Sequence, residues 1–120
     1  MVKLTINGKE ITASPDQTIL KVCREQNIDN IPTLCYDDKL HPFGSCFLCV
    51  VELEGQSRLF PACATKVAEG MKIRTRSEKV LRARKTCLEL LVSDHYADCF
   101  GPCRLNCPAD VDIQGYMSLI

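Results

Sequence analysis

Four cysteines constrain this chain more than any other feature: Cys35, Cys46, Cys49 and Cys63, spaced C-x10-C-x2-C-x13-C. The close pair Cys46/Cys49 can grip one metal centre from a single loop, and the outer two can close the cage from either side. A fold that carries them must bring residues 35 and 63 to that loop, so the topology is tied to a site. Four thiolates suit a cluster of two irons and two sulfides. They also suit a structural zinc ion. Zinc ribbons usually offer two close CxxC pairs, and these four residues offer one, which favours the cluster. Gly44, just ahead of the pair, gives the loop conformations closed to other residues and can bring backbone N–H groups near the sulfurs.

The rest of the composition fits thiolates committed to metal. Nine cysteines in 120 residues would read as a disulfide framework in a small secreted protein. The number is odd, the cysteines are clustered, and the start MVKLTINGKE is strand-like with no apolar signal segment. No run approaches the roughly 18 to 20 apolar residues of a membrane span. The expected setting is therefore cytoplasmic. Formal net charge is zero and there is no Trp, so neither a nucleic-acid field nor a base-stacking surface is indicated.

Patterning places these motifs on an α+β frame. Val2 to Ile6 alternates, Asn7-Gly8 is a hairpin turn, and Glu10 to Ala13 resumes the alternation. Ser14-Pro15-Asp16-Gln17 carries a helix-start signature, with Ser14 as expected N-cap and Gln17 completing a capping box. Ile19, Leu20, Val22 and Cys23 give that helix an apolar face, ending near Asn27. Residues 31 to 42 read as loop, and short strands are expected within 47–53, 57–60 and 71–75. Hairpin, helix and further strands in this order predict a ubiquitin-like β-grasp domain over residues 1–76. From Ser77 the period changes to a helix reaching about Ser93, with Val80, Leu81, Cys87, Leu88, Leu91 and Val92 on one stripe. Lys79, Arg82, Arg84 and Lys85 fall mostly elsewhere and read as a solvated face. Residues 77–120 are thus expected to be a helix, a cysteine-rich segment and the start of a following domain.

The motifs IPTLCY, GSCFLCVVELEG, LFPACATKV and EGMKIRT resemble the N-terminal [2Fe-2S] domain of the complex I 75-kDa subunit family. The same domain opens iron-only hydrogenases and some formate dehydrogenases, and the resemblance covers roughly residues 1 to 98. It implies a [2Fe-2S] ferredoxin-like fold with Cys35, Cys46, Cys49 and Cys63 as cluster ligands. Phe47 departs from the family, which often has Arg after the second cysteine.

A second group, His95, Cys99, Cys103 and Cys107, reads H-x3-C-x3-C-x3-C-P. The complex I-like family follows its first domain with a His-and-three-Cys [4Fe-4S] site, and the H-x3-C start is present here, although the later spacing departs from that pattern. The ending C-x3-CP-x2-VDIQGYM is similar to the N-terminal cluster region of the glutamate synthase small-chain family, whose flavoproteins bind FAD and NAD(P)H downstream. These resemblances imply a [4Fe-4S] site at Cys99, Cys103 and Cys107, with either His95 or a later cysteine as fourth ligand. Cys23 and Cys87 lie on apolar helix stripes and read as packed thiols. His41 reads as a surface loop residue.

No dinucleotide glycine fingerprint, phosphate loop or nucleophile–base pair occurs, so no substrate-catalytic residue is expected within these 120 residues. The leading expectation is an electron-transfer module of a larger NAD(P)-linked oxidoreductase of the formate dehydrogenase, hydrogenase or flavoprotein type. Its partner would be a redox protein or a downstream flavoprotein or catalytic domain that carries FAD and NAD(P). The alternatives are a self-standing ferredoxin-like carrier and a zinc-organised interaction module.

Overall fold

The computed structural model describes residues 1–95 and 100–120. The hairpin forms where alternation and turn chemistry agree. Strands β1 (Val2–Ile6) and β2 (Lys9–Ala13) pair antiparallel, with Leu4 opposite Ile11 and Val2 opposite Ala13. Asn7 and Gly8 take φ of 52° and 83°, the left-handed pair that a tight hairpin turn requires. Leu4, Ile6, Ile11 and Ala13 point inward, and Lys3, Glu10 and Thr12 point to solvent.

Three shorter strands complete the sheet: β3 (Val50–Leu53), β4 (Leu59–Pro61) and β5 (Lys72–Arg74). The order is β2-β1-β5-β3-β4. The pair β1/β5 is parallel and the other pairs are antiparallel. One face is closed by helix α1 (Ile19–Glu25), whose Ile19, Leu20, Val22 and Cys23 join Leu4, Ile6, Val51 and Ile73 in the core. Burying each of these aliphatic side chains stabilises the fold by about 1.5–3 kcal/mol.

The start of α1 differs from the Ser14 expectation. The N-cap is Thr18, whose hydroxyl accepts from the Lys21 amide at 3.3 Å. Ser14 and Gln17 instead close a turn of their own. The Gln17 amide donates to the Ser14 carbonyl at 3.0 Å, and the Gln17 side-chain oxygen accepts from the Ser14 amide at 3.0 Å. The reason is tertiary: the Ile19 and Leu20 amides donate to the Thr65 and Ala62 carbonyls at 2.9 and 3.0 Å. Carbonyls more than 40 residues away thus satisfy two first-turn donors that have no partner inside the helix.

A buried carboxylate ties the far end of the sheet together. The Asp29 side chain is only 4% exposed and accepts from Arg76 Nε and Nη2 at 2.9 and 2.6 Å, and from the Thr75 hydroxyl. Thr75 in turn is held by Asn7 of the hairpin turn through both its amide and its hydroxyl. The Arg76 and Thr75 hydrogen bonds hold the Asp29 carboxyl below its ordinary value. A lowered carboxyl contributes stability above its unfolded pKa of about 3.9, and loses it as pH falls through the folded value. Asp29→Asn should therefore destabilise the domain by about 1–3 kcal/mol at neutral pH. The gap from the parent protein should close as pH drops below about 4. Urea unfolding at several pH values reads both, and a pH-independent gap would count against the ionised pair.

Contacts divide the chain into two units, Met1–Leu90 and Leu91–Ile120. Helix α2 (Glu78–Ser93) starts at Ser77, whose hydroxyl accepts from the Val80 amide at 3.3 Å. It is anchored by the fully buried Val80, by Lys79 donating to the Ser57 carbonyl, and by Arg84 reaching the Val50 carbonyl. Of the apolar stripe expected on this helix, only Val80 is buried. Arg84 belongs to the packed side rather than to the solvated face expected from sequence. The second unit holds two short helices, α3 (Pro102–Leu105) and α4 (Ile113–Met117). Arg104 links them, bonding Asp112 at 2.8 Å, and its guanidinium lies 4.7 Å from the Phe100 ring centroid.

Candidate metal centre

Three separate stretches deliver the four cysteines. Cys35 lies in the long loop after α1, Cys46 and Cys49 flank the turn into β3, and Cys63 follows β4 directly. Cys49 and Cys63 are buried, and Cys35 and Cys46 are half-buried. The α1 amides that bond Ala62 and Thr65 frame Cys63 on both sides. The Ala62 amide donates to the Cys49 carbonyl at 3.1 Å, which ties the second pair of cysteines together through backbone. Thr65 then closes the turn: its amide and hydroxyl both donate to the Pro61 carbonyl, at 3.0 and 2.7 Å.

The loop carrying Cys46 is held in conformations that few residues adopt. Gly44 has φ of 69°, and a Cβ there would sit 3.6 Å from the Ala64 Cβ, so the turn around Cys63 packs directly on it. Phe47, between the close cysteines, has φ of 56° with a bulky side chain that is 45% exposed. A left-handed residue of this kind costs about 1–2 kcal/mol and persists only where its surroundings fix it.

The outer two thiols, Cys35 and Cys63, are shifted in opposite directions. Backbone N–H of Cys46, with help from Ser45, pulls the Cys35 thiol down to about 7. Burial pushes the Cys63 thiol up to about 12, followed by its hydrogen bond with Cys49 and the negative charge of Cys49, Cys35 and Cys46. Such a set cannot ionise together unless a cation neutralises it, and coordination deprotonates a thiol outright. Among the described residues, no three His, Cys, Asp or Glu side chains are drawn together tightly enough to hold a single ion. The donor set itself, four thiols from three stretches with backbone N–H at Cys35, has the chemistry that an iron–sulfur cluster takes up.

Residues 1–78 match the 2Fe-2S iron-sulfur cluster binding domain. The chain belongs to that family. Among its relatives, the alpha subunit of an NADPH-Fe(3+) oxidoreductase of Geobacter sulfurreducens is 46% identical over 99 residues, 82% of this chain and 12% of that protein. The NADP-reducing hydrogenase subunit HndD of Solidesulfovibrio fructosivorans is 42% identical, covering 92% of this chain and 20% of its own length. A component of the NADH-quinone oxidoreductase of Rhizobium meliloti is 39% identical over 82% of this chain. The crystal structure of an NAD+-reducing [NiFe]-hydrogenase in the H2-reduced state superposes with a TM-score of 0.70 at 33% identity, over 80% of this chain and 41% of that one. The chain thus spans 12 to 20% of the length of these curated relatives.

The remaining sequence candidates are placed as follows. Cys23 is buried in α1, where burial and Asp29 push its thiol up to about 11, as suits a packed core residue. Cys87 is half-buried on α2, and His41 is exposed in its loop. His95 is exposed just past α2, Cys103 is exposed on α3, and Cys107 is half-buried after α3. Backbone N–H groups of Val111, Ala109 and Asp110 hold the Cys107 thiol below its ordinary value. Cys99 lies outside the described residues. No described helix is long and apolar enough to cross a membrane.

Two residues near the centre carry no local sequence signal of their role, or only a weak one. Ser45 helps hold Cys35, and Arg84 bonds the residue after Cys49. Ser45 sits beside a cysteine and could be singled out by position. Arg84 has no such neighbour in sequence.

Proposed function

We propose that this chain is an electron-transfer module of a larger NAD(P)-linked oxidoreductase, with Cys35, Cys46, Cys49 and Cys63 holding its [2Fe-2S] cluster. The observation that carries the assignment is the delivery of four free cysteines, two buried and two half-buried, by three stretches of the matched 2Fe-2S domain. A bound [2Fe-2S] cluster takes up and gives back one electron at a time. The chain's own residues supply the rest. Cys49 and Cys63 bury one side of the centre from water, and Gly44 and Phe47 bend the loop so that amides point at sulfur. The half-buried side at Cys35 and Cys46 is where a redox partner would approach. We assign residues 1–76 to a ubiquitin-like β-grasp, a reading that the sheet order with its parallel β1/β5 pair supports. Residues 77–120 then carry the helix and the second cysteine group on toward the next domain. We assign Cys99, Cys103 and Cys107 to a [4Fe-4S] site, with His95 or a later cysteine as fourth ligand, and place FAD and NAD(P) in a downstream domain or partner protein. A cytoplasmic setting accords with this many thiolates given to metal.

Iron, acid-labile sulfide and zinc analysis of the purified protein, read beside EPR of the reduced form, tests the reading. Iron with matching sulfide and a two-iron signal on reduction is the expected result. A colourless protein with stoichiometric zinc would replace it with the zinc-organised module.

A further inference from the structure

We infer that Arg84 sets the reduction potential of the centre, acting as a fixed positive charge delivered by α2 to the residue that follows Cys49. Its guanidinium bonds a single carbonyl, that of Val50, through Nε at 3.2 Å and Nη2 at 2.8 Å. Val50 adjoins Cys49 and opens β3, so the contact grips the cluster loop where it enters the sheet. Arg84 is half-buried, and it is placed four residues after Val80, the fully buried anchor of α2. The helix therefore cannot roll this side chain away without exposing its anchor.

The charge is also left unspent by its neighbours. Asp29 is the nearby buried anion, but Arg76 already bonds it through two nitrogens. Burial, and to a smaller extent Arg76, pull the Arg84 guanidinium below its ordinary value, while Asp29 and Cys49 push it back up, in keeping with its seat on the residue next to Cys49. An arginine remains protonated under these conditions. Reducing a cluster adds one negative charge, and a partly buried cation is screened little by salt. A cation fixed beside a ligand therefore favours the reduced state and raises the potential.

The inference rests on the [2Fe-2S] assignment, and the two can fail separately. Iron content and the reduced EPR signal of the parent protein report on the assignment. The midpoint potential of variants against the parent, by dye-mediated titration, reports on Arg84. Arg84→Gln should lower the reduced-to-oxidised ratio about tenfold at a given ambient potential, a downward shift of about 59 mV for one electron. Arg84→Lys, which keeps the charge but not the paired bonds, should lose less than half as much. A shift below twofold in Arg84→Gln, or an equal fall in both variants, overturns the inference. Should Arg84→Gln not retain iron, Arg84→Met decides, because it keeps an unbranched packed stem and removes the charge. A downward shift of similar size there supports the role of Arg84, and an unchanged or higher potential rejects it.

Discussion

Cys63→Ser should strip the iron from the first centre and abolish the signal of a two-iron cluster, while a serine at Cys23, a buried thiol on α1, should not. Cys63 is 1% exposed. The α1 amides fix the carbonyls on either side of it, and the Thr65 turn closes over it. A serine there keeps the backbone but offers a hydroxyl that must lose its proton in a buried place already rich in negative charge. The thiol itself is pushed up to about 12 there, and a hydroxyl starts far less acidic. Coordination makes the thiol a usable donor at neutral pH, and the hydroxyl, harder and far less acidic to begin with, is the weaker ligand. Cluster binding free energy is also folding free energy, so the variant should unfold at lower urea and become insensitive to iron chelators. Cys23→Ser is the control. Cys23 is equally buried, but on α1 and in the apolar core. Its serine should cost about 1–3 kcal/mol for an unpaired hydroxyl and leave iron per chain unchanged. Metal analysis and EPR of the two variants separate these roles. Parent-like iron in Cys63→Ser would sink the ligand assignment.

How much of this is legible in the sequence follows the distance over which each feature is decided. The hairpin is legible because Asn7-Gly8 and the alternation of Leu4, Ile6, Ile11 and Ala13 act within a dozen residues. The four cysteines stand out because thiolate chemistry allows few readings of their spacing. Local rules place the start of α1 at Ser14 because Ser-Pro-Asp-Gln carries the stronger capping signature, whereas residues 62–65 hold the Ile19 and Leu20 amides and the helix begins after Thr18. Arg84 reads as solvated by local rules too. On its own helix it lies among Lys79, Arg82 and Lys85, and its acceptor stands 34 residues earlier. The left-handed Phe47 contradicts the preference of a bulky residue, so no propensity could reveal it. The residues that escape local rules lie close to the centre or support it, where tertiary demands override local preference.

The second cysteine group leads to the other large expected effect. In the protein with both sites filled, iron should approach about six per chain, two at the first centre and four at the second. Cys107→Ser should bring it down to about two while leaving the two-iron signal intact. The local structure favours an anionic sulfur at Cys107 even before any metal is considered. The chain leaves α3 at Asn106, and Asp110 then takes φ of 49°, which turns successive amides inward. Val111, Ala109 and Asp110 direct their N–H groups at the Cys107 sulfur and hold the thiol below its ordinary value. A concave run of amides is a general anion cradle and a recurrent support of iron–sulfur sites. Cys103 stands one turn earlier on α3 and is exposed, so its sulfur is open to a shared centre. Thiolates this dense would repel one another without a cation between them. His95 decides the fourth ligand. His95→Ala should lower iron per chain if the imidazole completes the site, and full retention would hand that position to another donor. About two irons in the parent protein, reconstituted under reducing conditions with excess iron and sulfide, would reject the second cluster altogether.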